Sequence, residues 1–311
     1  MKKIMDSPDS KSEFKLGRKL KTGARAVVTL TSFLGPALSV MGIVILYPIV
    51  EGARLSLFSY KLTRPSDVGF SWFDNYNYMI SDAVFWEAMQ NTFVFTGCVV
   101  GISCLVGLIM ALLLQRPLII FKFLRGIVLI PWVIPGIVIG YLFLYMFDFE
   151  IGIINNMLVQ SGLIRKALPW LADRELAMVA IIIAHVWNQT PFFLLMFTAG
   201  LMSIPEEALE AAYLEGSSSW QEFRYVVFAY LKKIMVIATL LMVIRNFNNF
   251  PVIYAMTGGG PSFSTTTAVI YIYRVAFERF DIGYASAIGT IWVLILLTLS
   301  IIYTRFLKDE F

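Results

Sequence analysis

Apolar residues in this chain come in blocks of bilayer length, and that feature constrains the fold more than any other. Six blocks, at about residues 27–50, 91–115, 124–147, 176–202, 232–257 and 284–307, each approach the ~20 residues that carry a helix across a hydrocarbon core. Lipid offers the backbone no hydrogen-bond partner, so such segments must satisfy their amides internally as helices. Of the 311 residues 58% are hydrophobic and 15% charged, whereas a soluble domain carries about 25% charged residues. The expected class is an all-α polytopic membrane protein with six transmembrane helices. The block from Val27 to Val50 is longer than a signal-peptide core and ends without a small-residue cleavage pattern, so it reads as a retained span.

Charge orients the bundle. The net charge is +4, and eight Lys and Arg precede the first block, among them Lys2, Lys3, Lys15, Arg18, Lys19 and Arg25. A nucleic-acid arm would use the same residues, but ahead of an apolar span they fit the positive-inside rule. A membrane domain over 27–307, with segments 1–26 and 308–311 in the cytoplasm, puts 16 Lys and Arg on the inner side, counting Arg125, Lys232, Lys233 and Arg305 at the inner ends of their blocks, against 8 in the outer loops. It also places the 203–231 loop in the cytoplasm. The outer stretch "VGFSWFDNYNYMISDAVFWEAM" interleaves aromatic and polar residues, as an interfacial segment does. Cys98 and Cys104 lie six apart on different faces of one block, so neither a disulfide nor a metal site is expected.

Several spans are irregular. Pro131, Pro135, Gly136 and Gly140 interrupt one, Pro191 another and Pro251 a third. Each proline removes a backbone donor and is expected to kink its helix. Arg245 is the clear charge inside a span and should face a cavity or a partner. Met242, Arg245, Asn246 and Asn249 recur at helical spacing on one face. His185, the single histidine, reads as a packed or hydrogen-bonded residue.

The stretch "SIPEEALEAAYLEGSSSWQEFRYVVFAYLKK" from Ser203 is polar between two apolar neighbours. Ser203 and Glu206 have capping-box spacing, with Pro205 in the first turn. That helix should end at Gly216, a residue suited to a left-handed cap, and a second box at Ser219 and Glu222 should start another. Trp220, Phe223 and Val227 form an apolar stripe on the second helix. It fits docking into a partner's groove; rest on the bilayer surface is the other reading, although such helices are usually dominated by basic residues.

The residues "EAAYLEGSSSWQEF" resemble the cytoplasmic signature of binding-protein-dependent ABC importer permeases: Glu-Ala-Ala, three residues, then Gly. Glu210, Ala211, Ala212 and Gly216 match it, and Trp220 and Phe223 match aromatics common in the sugar branch. "WFDNYNYMISDAVFWEAMQNTFVFT", "GLMSIPEEALEAA", "NFNNFPVIYAMTGGGPSFST" and "DIGYASAIGT" are similar to carbohydrate-importer permeases of the maltose-transporter type. The resemblance implies a type I ABC importer permease in a bacterial or archaeal inner membrane. Its partners would be a second related permease, two ABC ATPase subunits that use ATP and Mg, and an extracytoplasmic solute-binding protein. No cofactor would be bound by this chain, and nucleic acid would play no part.

By the same resemblance, Glu210, Ala211, Ala212, Gly216, Trp220 and Phe223 would couple to the ATPase, and Asn188, Gln189, Phe192, Asn246 and Asn249 would contact sugar. Interhelical amide bonding is the other use for those amides. Arg245 would suit an anionic saccharide or pair with another subunit. A non-sugar cargo such as a glycerol phosphate ester, or an ion-coupled secondary transporter, are the alternative functions. One departure is Phe228-Ala229 where the family generally has Leu-Pro, and Lys233 where a proline is common, which predicts a straighter exit from the hairpin. "TGGGPSFSTTT" lacks the Gly-Lys-Ser/Thr ending of a phosphate loop and reads as a flexible outer turn. No HExxH or GxSxG motif stands in the chain, so an enzyme is not expected.

Overall fold

The computed structural model describes residues 32–114 and 119–309, with the side chains of residues 119–125 and 306–309 left aside. The basic segment 1–26 lies outside the described residues. The chain divides into a unit ending at Leu55 and a unit from Ser56 onward. In the first, α1 (Ser32–Leu55) is a span-length apolar helix with a π-helical turn at Gly42–Leu46. Arg54 and Glu51 pair at 2.5 Å one turn apart near its end.

The second unit opens with a short antiparallel hairpin, β1 (Phe58–Ser59) against β2 (Gly69–Phe70), with Phe58 opposite Phe70. Helices follow in the order α2 (Asp74–Ser81), α3 (Ala83–Leu114), α4 (Ile119–Val133), α5 (Gly136–Met146), α6 (Ile153–Gln160), α7 (Arg174–Met202) and α8 (Glu206–Leu214). Then come α9 (Ser219–Phe247), α10 (Pro251–Thr257), α11 (Ala268–Tyr273) and α12 (Ile282–Asp309). Among the described residues five helices are long and apolar enough to cross a membrane, and the bent pair α4–α5 makes the sixth crossing.

The prolines act differently from one another. Pro191 sits inside an unbroken α7. Pro135 and Pro251 stand at the starts of α5 and α10, so their spans are broken rather than kinked. The first break turns the chain through 101°. The two second halves pack together closely: a Cβ added at Gly140 would lie 2.5 Å from that of Ala255, so only glycine permits the contact. The centre of the unit is the long α3–α7 pairing, sealed by Phe95, Ile139 and Ile181 toward one end and by Phe193, Phe197 and Leu231 toward the other.

The loop at 258–267 is pinned, not flexible. Thr265 Oγ1 donates to the Gly260 carbonyl and Thr266 Oγ1 to that of Gly259, each at 2.7 Å. Asn91 of α3 donates to the carbonyls of Phe263 and Thr266. Thr265 and Thr266 thus cap backbone carbonyls of the loop from within, while the buried hydroxyls of Ser264 and Thr267 have no partner among the described residues.

Candidate functional site: a pair of broken spans and a polar hairpin

The hairpin's first helix begins two residues later than the capping-box spacing implied. Ser203 closes α7, its hydroxyl donating to the Gly200 carbonyl at 2.7 Å, while Pro205 occupies the N-cap of α8 without a side-chain bond. Glu206 and Glu207 fill the first turn, where the helix dipole favours them. Gly216 adopts φ +73°. Its N–H reaches the Tyr213 carbonyl at 3.0 Å and that of Ser217 reaches Ala212 at 3.1 Å, a Schellman closure.

The next capping box is Ser218 with Gln221, not Ser219 with Glu222. The extended backbone falls at Ser218, and the Gln221 amide oxygen accepts from the Ser218 N–H at 2.8 Å. From there α9 runs through a π-helical turn at Glu222–Val227 to Phe247, so the second hairpin helix is the start of a span. The absence of proline at 228–229 leaves that exit continuous.

The expected stripe divides by depth. Val227 is core, Phe223 packs half-buried against the bundle, and Trp220 stacks on Phe223 at 5.8 Å while remaining 70% exposed. Tyr213, Leu214 and Tyr225 of the same hairpin are also more than 70% exposed, a set that the stripe pattern missed. Glu210 and Ala211 are exposed and Ala212 is buried.

Near the breaks the polar side chains have found partners. The Pro131 carbonyl would be bonded in an unbroken helix by the N–H of residue 135, which as proline has none. Asn188 supplies the donor instead, Nδ2 to Pro131 O at 2.6 Å. Gln189 and Asn246 are 0% and 1% exposed and exchange two amide bonds between α7 and α9, at 2.9 and 2.8 Å. Phe192 lies beside Trp132 at 5.8 Å.

Asn249 does not share the helix face with Met242 and Asn246. It lies beyond the end of α9, in the break before Pro251. Its side chain faces His185. His185 is fully buried, with its Nδ1–H donating to the Ile181 carbonyl at 2.9 Å and its ring edge-on to Phe95. Its Nε2 and the Oδ1 of Asn249 are buried atoms without partners. Arg245 is exposed and makes no hydrogen bond or ion pair among the described residues.

A second polar cluster escaped the sequence reading because its members are far apart along the chain. Asp82, between α2 and α3, accepts the Tyr284 hydroxyl at 2.6 Å and the Tyr271 hydroxyl, and Arg279 donates to Tyr271 at 3.2 Å. Burial works to raise the Asp82 pKa, but these hydroxyls and the Val84 and Phe85 N–H groups outweigh it and hold the carboxyl below the usual aspartate range. Beside it lies a cavity of about 470 Å³ lined by Lys61, Asp74, Asn75, Tyr78, Arg279 and Asp281.

Known proteins share both sequence and fold. Residues 103–309 match the family described as "Binding-protein-dependent transport system inner membrane component". The sulfoquinovosyl glycerol transport system permease protein of Agrobacterium fabrum is 32% identical, covering 94% of each chain. The trehalose/maltose transport system permease protein of Thermococcus litoralis is also 32% identical, over 88% of this chain and 92% of its own. The crystal structure of a bacterial alginate ABC transporter in complex with its alginate pentasaccharide-bound periplasmic protein contains a chain that superposes with a TM-score of 0.78. That match is 19% identical and covers 92% of this chain and 96% of the other. The fold is accordingly the all-α type I ABC importer permease fold, and by family this chain is a multi-pass, binding-protein-dependent transport system inner membrane component.

Proposed function

We propose that this chain forms part of the translocation pathway of an ATP-driven saccharide importer, with the 203–231 hairpin engaging a separate ATPase. The observation that carries the reading is the exposure of three aromatic side chains, Tyr213, Trp220 and Tyr225, on a hairpin bent at Gly216. Outside the apolar spans such side chains gain ~1.5–3 kcal/mol each when buried. A partner's cleft provides that burial. An ion-coupled secondary transporter has no use for the hairpin. The saccharide cargos in the names of the two relatives support a sugar over a glycerol phosphate ester.

In this scheme two ATPase subunits bind and hydrolyse ATP with Mg, a second, non-identical permease completes the pathway, and an extracytoplasmic binding protein delivers cargo. The chain itself hydrolyses nothing. Both termini and the hairpin lie in the cytoplasm. Glu210 makes polar contacts to the ATPase, Ala211 and Ala212 allow close approach, Gly216 sets the bend, and Trp220 with Phe223 anchor the contact. ATP-driven closure of the ATPases moves the hairpin and, through the continuous α9, the break at Asn249.

Co-expression with the neighbouring subunits tests this. Trp220→Ala should lower ATPase co-purification and uptake while leaving the melting temperature within about a degree, since the residue is mostly solvent-exposed. Normal substrate-stimulated ATP hydrolysis in a Trp220→Ala, Phe223→Ala double variant, or proton- or sodium-driven uptake by the chain alone, would reject it.

A further inference from the structure

The cavity beside Asp82 lies at a boundary of the bilayer. It is lined by Tyr284 near the start of α12 and by Arg279 and Asp281 just before that helix. From Tyr284 to Arg305 stretch 21 residues of α12 without an intervening charge, about 32 Å of rise. A hydrocarbon core is about 30 Å thick, so with Arg305 at one boundary the cavity sits at the other, the outer one in the orientation proposed above. Trp72 and Phe280, chain neighbours of the lining residues Ser71 and Arg279, are exposed, as is the lining Tyr78, and such side chains suit that depth. The backbone here is irregular on two sides. Trp72 and Phe280 take φ of 52° and 56°, which bulky residues rarely adopt, and a π-helical turn at Arg274–Glu278 leads into Arg279. Departures of both kinds concentrate at functional sites.

Two opposite charges in the lining are unanswered. Lys61 and Asp281 pair with each other at 3.3 Å, and Asp82 is already engaged by Tyr271 and Tyr284. Arg279 gives one N–H to the Tyr271 hydroxyl at 3.2 Å, but among the described residues no carboxylate stands within ion-pair distance of it. Asp74 has neither an ion pair nor a side-chain hydrogen bond among those residues. Asn75 spends its Nδ2 donors on the Ser56 and Phe58 carbonyls at 2.8 and 3.0 Å, which leaves its Oδ1 as an acceptor. The Ser59 and Tyr78 hydroxyls also have no partner among the described residues. One free cation and one free carboxylate, with spare acceptors and hydroxyls, are the complement of a zwitterion.

We propose that this cavity binds a phosphoethanolamine zwitterion, carried as the headgroup of an ethanolamine phospholipid. The phosphate accepts from the Arg279 guanidinium and the Ser59 hydroxyl, and the ammonium donates to Asp74, Asn75 Oδ1 and the Tyr78 hydroxyl. Depth selects the lipid over a soluble zwitterion, because a headgroup is held at this boundary while its acyl chains stay in hydrocarbon. The lining also discriminates among lipids. A choline headgroup has no N–H for these acceptors, and a glycerol headgroup brings no cation to Asp74. The assignment depends on the position of α12 in the membrane and not on what the chain transports.

The test presents the full-length chain with mixed micelles holding equal amounts of dioleoyl phosphatidylethanolamine, phosphatidylcholine and phosphatidylglycerol, and counts retained lipids by native mass spectrometry. The ethanolamine lipid should be retained roughly fivefold or more over either of the others. Asp74→Asn should lower its retention by a similar factor. Since Arg279 still takes a phosphate, the same variant should bring retention of the ethanolamine and glycerol lipids together, a change of preference that mere misfolding does not produce. Arg279→Gln should lower retention of the ethanolamine lipid as well. Asp74 is exposed and unpartnered, so Asp74→Asn should melt with the unaltered chain. Equal retention of the three lipids, or an ethanolamine preference that survives both substitutions, would overturn the proposal. So would displacement of the lipid by soluble glycerophosphoethanolamine at matching concentration, which would assign the cavity to a soluble zwitterion.

Discussion

Replacing Asn188 by leucine should loosen the sharpest feature of the fold. The Pro131 carbonyl precedes the 101° break between α4 and α5, and its normal helical donor is absent because residue 135 is proline. The Asn188 amide fills that vacancy at 2.6 Å. Leaving a buried carbonyl unsatisfied costs about 1–3 kcal/mol. For a chain of this size each kcal/mol moves the melting temperature by about 2–4 °C, so a fall of about 2–12 °C is expected. Asn188→Asp keeps the shape but at neutral pH turns a carboxylate oxygen toward the carbonyl, and should melt lower than the leucine variant. Thermal unfolding of the detergent-solubilised chain, followed by tryptophan fluorescence, reads both. Variants that melt with the unaltered protein would show that the carbonyl finds another donor and that Asn188 does not hold the break. If those variants also lost transport, Asn188 would return to a role in contacting cargo.

Two further outcomes follow from the polar clusters. Gln189→Leu and Asn246→Leu should each cost about 1–3 kcal/mol by stranding the other buried amide, and the double variant should cost less than their sum; additive melting shifts would show that the two amides are not coupled. Asp82 has a folded pKa below its ordinary 3.8, so the unfolded chain takes up the proton first as pH falls. Its stabilisation should be complete at neutral pH and be lost below 3.8 as the folded carboxyl protonates, so the melting gap between the unaltered chain and Asp82→Asn should close on acidification. A gap that widened toward low pH would refute the clasp.

Much of the membrane domain was legible because hydropathy acts locally. A block such as 284–307 becomes a helix whatever lies beside it, and α12 occupies it. Gly216 was legible for the same reason, since a left-handed residue after a helical run calls for glycine. The second capping box was displaced by one residue because serine recurs at 217, 218 and 219, and spacing alone cannot choose among three adjacent hydroxyls. The outer turn was misread because polarity signals solvent only when side chains lack partners, and Thr265, Thr266 and Asn91 supply them internally.

The chain by itself determined its crossings, its bend at Gly216 and the supply of polar groups near the breaks, since each depends on residues within a few positions of one another. Tertiary structure alone decided which partners those groups took. Asn188 serves a carbonyl 57 residues earlier, Gln189 pairs with an amide 57 residues later, and Asp82 meets a hydroxyl 202 residues away. A polar atom away from water bonds whichever complement packing brings within about 3 Å, and that choice is made only when the helices meet.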